Sequence, residues 1–164
     1  MSINSTYASR GMVVAPHALA AQSGLAVLRE GGNAIEAMVA AAATISVVYP
    51  HMNGIGGDSF WLIHEPGKDV TTIDGCGRAA GLASLDFYRT HQVDTIPMRG
   101  PLAANTVAGT IAGWQRALEF STANWSGRLP LTRLLDDAIH YAEQGIVVTR
   151  SQSTNTQKKL AELK

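Results

Sequence analysis

The stretch His51-Met52-Asn53-Gly54-Ile55-Gly56-Gly57-Asp58-Ser59-Phe60-Trp61-Leu62-Ile63 decides how this chain is read. A glycine-rich turn runs directly into an apolar strand. Gly54, Gly56 and Gly57 permit backbone angles and close approaches that a Cβ forbids. Phe60 to Ile63 reads as a buried strand, because four consecutive large apolar residues leave no polar face. Glu65-Pro66-Gly67-Lys68-Asp69 then predicts a hairpin turn, and Val70 to Asp74 the return strand. Asp74-Gly75-Cys76-Gly77-Arg78 leaves the sheet through a second glycine-rich bend.

Upstream, Gly11 to Ala15 reads as a short buried strand. Pro16 opens a helix with Ala18, Ala21, Leu25 and Leu28 on one face. Gly31-Gly32 stop it, one of them left-handed. Asn33 caps the next helix, with Glu36 placed as in a capping box. Ala37, Ala40, Ala41, Ala42 and Ala43 surround that helix with small side chains, so it is expected to be buried on several sides. Pro50 forbids its continuation. Downstream, Ser84 caps a short helix carrying Leu85, Phe87 and Tyr88, and 92–105 is irregular. Thr106 to Phe120 is expected to be helical, with Gly109 and Gly113 marking a close helix contact. Leu131, Leu134, Leu135, Ala138 and Ala142 form an amphipathic stripe ended by Gly145.

These elements predict an α+β chain with helices packed on antiparallel strands. So few strands for so apolar a sequence imply that part of the sheet comes from another polypeptide. The expected organisation is a loose leader at 1–10, a main region at 11–150, and a truncated helical segment at 151–164, with a helix from Lys158 to Lys164.

Thirteen basic and thirteen acidic residues cancel, and no basic stripe is present, which argues against nucleic acid as a partner. With 46% apolar and 16% charged residues in 164, the chain can bury a core. The apolar run from Ala37 to Tyr49 is too short to span a bilayer. MSINSTYASR at the start has no apolar segment of secretory type, so a cytoplasmic protein without a secretory signal is expected. The single cysteine, Cys76, excludes an internal disulfide.

Several chemistries can be weighed against plain packing. The glycine loop lacks the strand–loop–helix order of a dinucleotide site. Gly57-Asp58-Ser59 with the later Asp137-Ala138-Ile139-His140 imitates a serine hydrolase, but Ser59 begins a strand and His140 lies in an ordinary helix. His17, His51, His64, His91 and His140 show no ligand spacing, so no metal is expected, nor any cofactor. Cys76 is either a nucleophile or a small buried hydrophobe. Arg78, on a glycine-flanked bend at a strand end, is suited to grip a carboxylate with both arms; a surface ion pair is the plain alternative.

Gly11-Met12-Val13-Val14-Ala15-Pro16-His17, Gly31-Gly32-Asn33-Ala34-Ile35-Glu36-Ala37 and Gly54-Ile55-Gly56-Gly57 together resemble the start of the γ-glutamyltranspeptidase family. Gly109-Thr110-Ile111-Ala112-Gly113 and Leu129-Pro130-Leu131 with Gly145 continue the resemblance in order, over about residues 10–150. That resemblance implies an N-terminal nucleophile hydrolase with a four-layer αββα sandwich. It implies a precursor that cuts itself into a large and a small subunit. A threonine at the start of the small subunit attacks the substrate amide, with its own α-amine as base.

This chain resembles only the first part of the large subunit. Its implied partners are therefore the rest of that subunit and a companion small subunit, with no catalytic residue in the chain itself. Ser2 lies on a polar leader and is a poor substitute. The family's transpeptidases clamp the glutamate carboxylate with an arginine shortly after the return strand. Aligned on Ile73-Asp74, that position is Cys76 here, and Arg78 lies two residues on, ~7 Å along an extended chain. Asp74-Gly75-Cys76-Gly77-Arg78 with Pro50-His51-Met52-Asn53 is similar to the branch that hydrolyses oxamate to oxalate and ammonia in purine-ring catabolism. A small anionic amide substrate is then implied, with Arg78 as its binding residue. A γ-glutamyl hydrolase or transpeptidase and a glutaryl- or cephalosporin-type acylase are the alternatives within the family. A non-catalytic scaffold fragment is the alternative outside it.

Overall fold

The computed structural model describes residues 5–162. Among these residues, six α-helices, α1 (Ala18–Arg29), α2 (Ala34–Val48), α3 (Leu85–Thr90), α4 (Thr110–Trp125), α5 (Leu131–Gln144) and α6 (Arg150–Lys158), and a short 3-10 turn at Pro101–Ala103 accompany two strands, β1 (Ser59–Ile63) and β2 (Thr71–Gly75). Residues 5–54 with 118–162 form one compact unit, and Ile55–Ala117 forms another.

In the first unit, α2 is the central element. Its start is fixed twice over. The Asn33 side chain accepts hydrogen bonds from the N–H groups of Ile35 and Glu36, and Glu36 Oε2 accepts from the N–H of Asn33 at 2.8 Å. Its small residues let neighbours come close on several faces: Ala37, Val39, Ala40, Ala41, Ala43, Thr44 and Val48 are all buried. Helices α1 and α5 pack on it.

The α1–α2 contact is made by the smallest side chains on α1. Ala20, Ser23, Gly24 and Val27 are buried there. The face expected from Ala18, Ala21, Leu25 and Leu28 lies to one side, because backbone proximity rather than side-chain bulk sets this contact. A Cβ on Gly24 would lie 2.8 Å from the Ala37 carbonyl and 3.3 Å from the Ala41 methyl. His17 caps α1, its Nδ1 accepting from Leu19 N–H at 3.2 Å, and Gly31 closes the helix at φ +87°.

Glu36 is 2% exposed, and its second oxygen is also used. Oε1 accepts from the N–H groups of Arg128 and Leu129, each at 2.7 Å. The Asn33 amide donates to Ser121 Oγ at 2.7 Å. The segment entering α5 is thereby tied to the start of α2. On α5, Leu134 and Ala138 of the expected stripe turn inward and Leu135 is half-buried, whereas Leu131 and Ala142 at its ends are exposed; Gly145 ends the helix at φ +82°. Arg133 holds Glu30 with two guanidinium nitrogens, which lowers the Glu30 carboxyl pKa below the usual range.

In the second unit, β1 and β2 form an antiparallel hairpin with Ser59 opposite Gly75 and Ile63 opposite Thr71. Gly67 turns the chain at φ +81°. The capped helix after Ser84 is present as α3, with the Ser84 hydroxyl accepting from Phe87 N–H.

Four expectations are corrected. Gly11 to Ala15 forms no strand; no neighbouring segment among the described residues pairs with it, and Val14 is 78% exposed. Phe60 to Ile63 is a strand but not a buried one. Ile63 is buried, whereas Phe60 is 70% and Leu62 82% exposed, since a two-stranded sheet covers one face here and leaves the other open. The helix expected from Thr106 begins at Thr110, because residues 105–107 pair with 78–80. The last helix is Arg150–Lys158, earlier than expected, with its N-cap hydroxyl on Thr149. Residues 1–4 of the expected leader and 163–164 of the expected final helix lie outside the described residues.

Replacing Glu36 with Ala leaves three backbone donors without their carboxylate. The expected loss is about 3 kcal/mol or more in urea unfolding, and Glu36→Gln, which keeps one acceptor oxygen, is expected to lose about half of that. Gly24→Val is expected to cost about 1–3 kcal/mol by overpacking, measured in the same way.

Candidate functional site

The bend after β2 carries both singled-out residues. One step beyond the last ladder pair, Ser59 and Gly75, the chain places Asp58 across from Cys76. Asp58 Oδ1 accepts from the N–H of Gly77 at 2.8 Å, and Cys76 Sγ donates to Oδ2 at 3.7 Å. Asp74 Oδ1 accepts from the N–H of Cys76 at 2.8 Å, an Asx turn that starts the bend.

The far side of the bend is held by residues 105–107. The Val107 N–H donates to the Arg78 carbonyl and the Ala80 N–H to the Asn105 carbonyl, each at 2.9 Å. A Cβ on Gly77 would fall onto the Val107 carbonyl, so only glycine lets the two strands of backbone approach this closely.

Asp58 is itself fixed from behind. Thr110, 5% exposed at the start of α4, donates through Oγ1 to the Gly57 carbonyl at 2.8 Å and to the Asp58 carbonyl at 3.1 Å. The N–H groups of Gly109 and Thr110 both reach the Gly57 carbonyl at 2.9 Å. Open space surrounds the Cβ positions of Gly54, Gly56 and Gly57, so the close approach expected at this turn occurs at Gly77, Gly109 and Gly113 instead.

Arg78 is exposed, and no carboxylate among the described residues pairs with its side chain. Its backbone is pinned while its guanidinium stays available to an external anion. Cys76 is exposed rather than buried. The negative charge of Asp58 is the main influence raising its thiol pKa, with desolvation, the hydrogen bond to Asp58 and the charge of Asp74 adding to it. A thiol kept protonated in this way is a poor nucleophile. Ser59 is not set up as a nucleophile either: its hydroxyl donates to the Thr110 carbonyl at 3.4 Å, not to an imidazole. The predicted close contact at Gly113 is with Ser59 of β1, not with a second helix.

Asp58 is the residue that sequence reading passed over, having appeared only within an imitation of a hydrolase motif. A signal was present. Asp58 and Cys76 are equally far from Gly67, so a hairpin turning at Gly67 sets them face to face.

This α+β arrangement has clear counterparts. The chain belongs to the gamma-glutamyltranspeptidase family, whose model matches residues 20–164. It is 58% identical over 161 residues to the oxamate amidohydrolase proenzyme of Klebsiella pneumoniae, covering 98% of this chain and 30% of that protein. Among solved structures, it superposes on cephalosporin acylase from Bacillus halodurans with a TM-score of 0.86 at 34% identity, covering 99% of this chain and 30% of that one. Against Helicobacter pylori gamma-glutamyltranspeptidase the TM-score is 0.81 at 30% identity, covering 95% of this chain and 44% of the other. The chain thus spans about a third of the curated relative that it matches at 58% identity.

Because Asp58 is the main cause of the raised thiol pKa, Asp58→Asn is expected to move the Cys76 alkylation profile to lower pH. At pH 8 the variant is expected to react faster with iodoacetamide than the parent, followed by mass spectrometry.

Proposed function

We propose that this chain is the large-subunit portion of a threonine-nucleophile amide hydrolase that converts oxamate to oxalate and ammonia. The observation that carries the reading is the 58% identity, along 98% of the chain, to an oxamate amidohydrolase proenzyme. Cys76 at the position of the transpeptidase clamp supports it, since a substrate without an α-amino acid group needs no such clamp. In this reading 1–10 is a leader, 11–150 the first part of the large subunit, and 151–164 the start of a further helical segment. The outward apolar residues of β1, Phe60 and Leu62, supply one layer of an αββα sandwich that the remaining chain and the companion subunit complete.

The chemistry follows from the pieces. The threonine hydroxyl of the companion subunit attacks the oxamate amide carbon, and its α-amine takes the proton and passes it to the leaving nitrogen. Ammonia departs, and water then cleaves the oxalyl ester to release oxalate. Arg78 grips the carboxylate beside the scissile amide through paired N–H···O bonds. Oxamate breakdown of this kind belongs to cytoplasmic nitrogen catabolism. Among the described residues, no helix is long and apolar enough to cross a membrane.

The acylase reading has one observation in its favour, the TM-score of 0.86 to cephalosporin acylase from Bacillus halodurans. A substrate panel separates the readings. The processed enzyme is expected to release ammonia from oxamate and to leave γ-glutamyl-p-nitroanilide and glutaryl amides nearly untouched; the opposite pattern rejects the oxamate assignment. Mass spectrometry of the native preparation is expected to show a second chain beginning with threonine. Arg78→Ala is expected to raise KM for oxamate about tenfold or more, as loss of a charged hydrogen bond of roughly 1.5–3 kcal/mol implies.

A further inference from the structure

Arg78 can serve a small carboxylate only if its guanidinium is presented in one place. A long side chain on a mobile bend would lose much of its binding free energy in becoming ordered. The bend here is held on two sides. At Gly77 the N–H donates to Asp58 Oδ1 at 2.8 Å, immediately before Arg78. At Arg78 itself the carbonyl accepts from Val107 N–H at 2.9 Å. The second hold is backbone to backbone and belongs to the pairing of 78–80 with 105–107. The first depends on one side chain.

Asp58 is unusually well placed for this. Its carbonyl and that of Gly57 are bound by Thr110 at the buried start of α4, so the carboxylate rises from a fixed base. Both carboxylate oxygens are directed at the bend, one to the Gly77 N–H and the other to the Cys76 thiol. Gly77 has no room for a Cβ beneath Val107, so the bend is closed between Asp58 on one side and Val107 on the other.

We propose that Asp58 is a positioning residue for substrate specificity: by holding the Gly77 N–H it fixes the backbone from which Arg78 reaches the substrate carboxylate. This rests on the reading of Arg78 as the carboxylate-binding group. Asp58 touches no substrate in this scheme; its effect passes through the bend and through Arg78.

The test uses the full-length, self-processed enzyme and steady-state kinetics with oxamate, comparing Asp58→Ala, Asp58→Asn, Arg78→Ala and the Asp58→Ala/Arg78→Ala double variant. Arg78→Ala and Asp58→Ala are each expected to raise KM roughly tenfold with kcat within about threefold of the parent. Asp58→Asn keeps a carbonyl oxygen for the Gly77 N–H and is expected to return KM to within about threefold of the parent. The double variant is expected to be no worse than Arg78→Ala, since both act through one contact.

Parental KM in Asp58→Ala, with KM raised in Arg78→Ala, overturns the positioning role and leaves the Arg78 reading intact. Unchanged KM in Arg78→Ala overturns both. Additive losses in the double variant, or Asp58→Asn as impaired as Asp58→Ala, overturn the route through Arg78. Asp58→Gly stands in if Asp58→Ala yields no processed enzyme. Failure of both assigns Asp58 to folding and overturns the proposal.

Discussion

A carboxylate with almost no contact with water organises the larger unit. Glu36 is 2% exposed, and a buried negative charge is tolerable only when donors surround it. Here three backbone N–H groups do so: one from its own helix start, at Asn33, and two from Arg128 and Leu129. The consequence is geometric. The chain arriving at α5 must lie against the first turn of α2, so α5 can meet α2 only along one line. The neighbouring Asn33–Ser121 hydrogen bond ties Ser121 of α4 to the same helix start.

Around that junction the helices approach through absence of bulk. Ala20, Ser23 and Gly24 face Ala37, Ala40 and Ala41 with little side chain between the backbones, and the Ser23 hydroxyl points to the Ala40 carbonyl at 3.5 Å. Dispersion contacts at such short range replace the interlocking of large side chains seen in Leu-rich pairs. The second unit uses the same device with strands. Gly75, Gly77 and Gly109 let two backbone segments run nearly in contact, and the bend that carries Arg78 is set by that contact.

Much of this is legible in the amino-acid sequence. Helix ends were legible because caps are local: Asn33 with Glu36, Gly31, Ser84 and Gly145 all act within a turn of their own position. The hairpin was legible for the same reason, with Gly67 between two apolar runs. What misled was burial. Phe60 and Leu62 look like core residues in sequence, yet they face outward, since a strand is covered only where a partner layer lies over it. Gly11 to Ala15 has strand composition but no partner strand among the described residues, and Thr106 and Val107 have helical neighbours but are recruited to pair with 78–80.

The sequence by itself determined the order of the helices and the hairpin, the caps at Gly31, Asn33, Ser84 and Gly145, and the family membership that its spaced glycine motifs carry. Those properties depend on residues close together in the chain, or on identity alone. The tertiary structure decided which face of α1 is buried, where the second oxygen of Glu36 goes, and that Asp58 and Val107 together hold the bend leading to Arg78. Each of these depends on a contact between distant segments whose closeness is set by missing side chains. A glycine or alanine does not announce in sequence which backbone will come to rest against it.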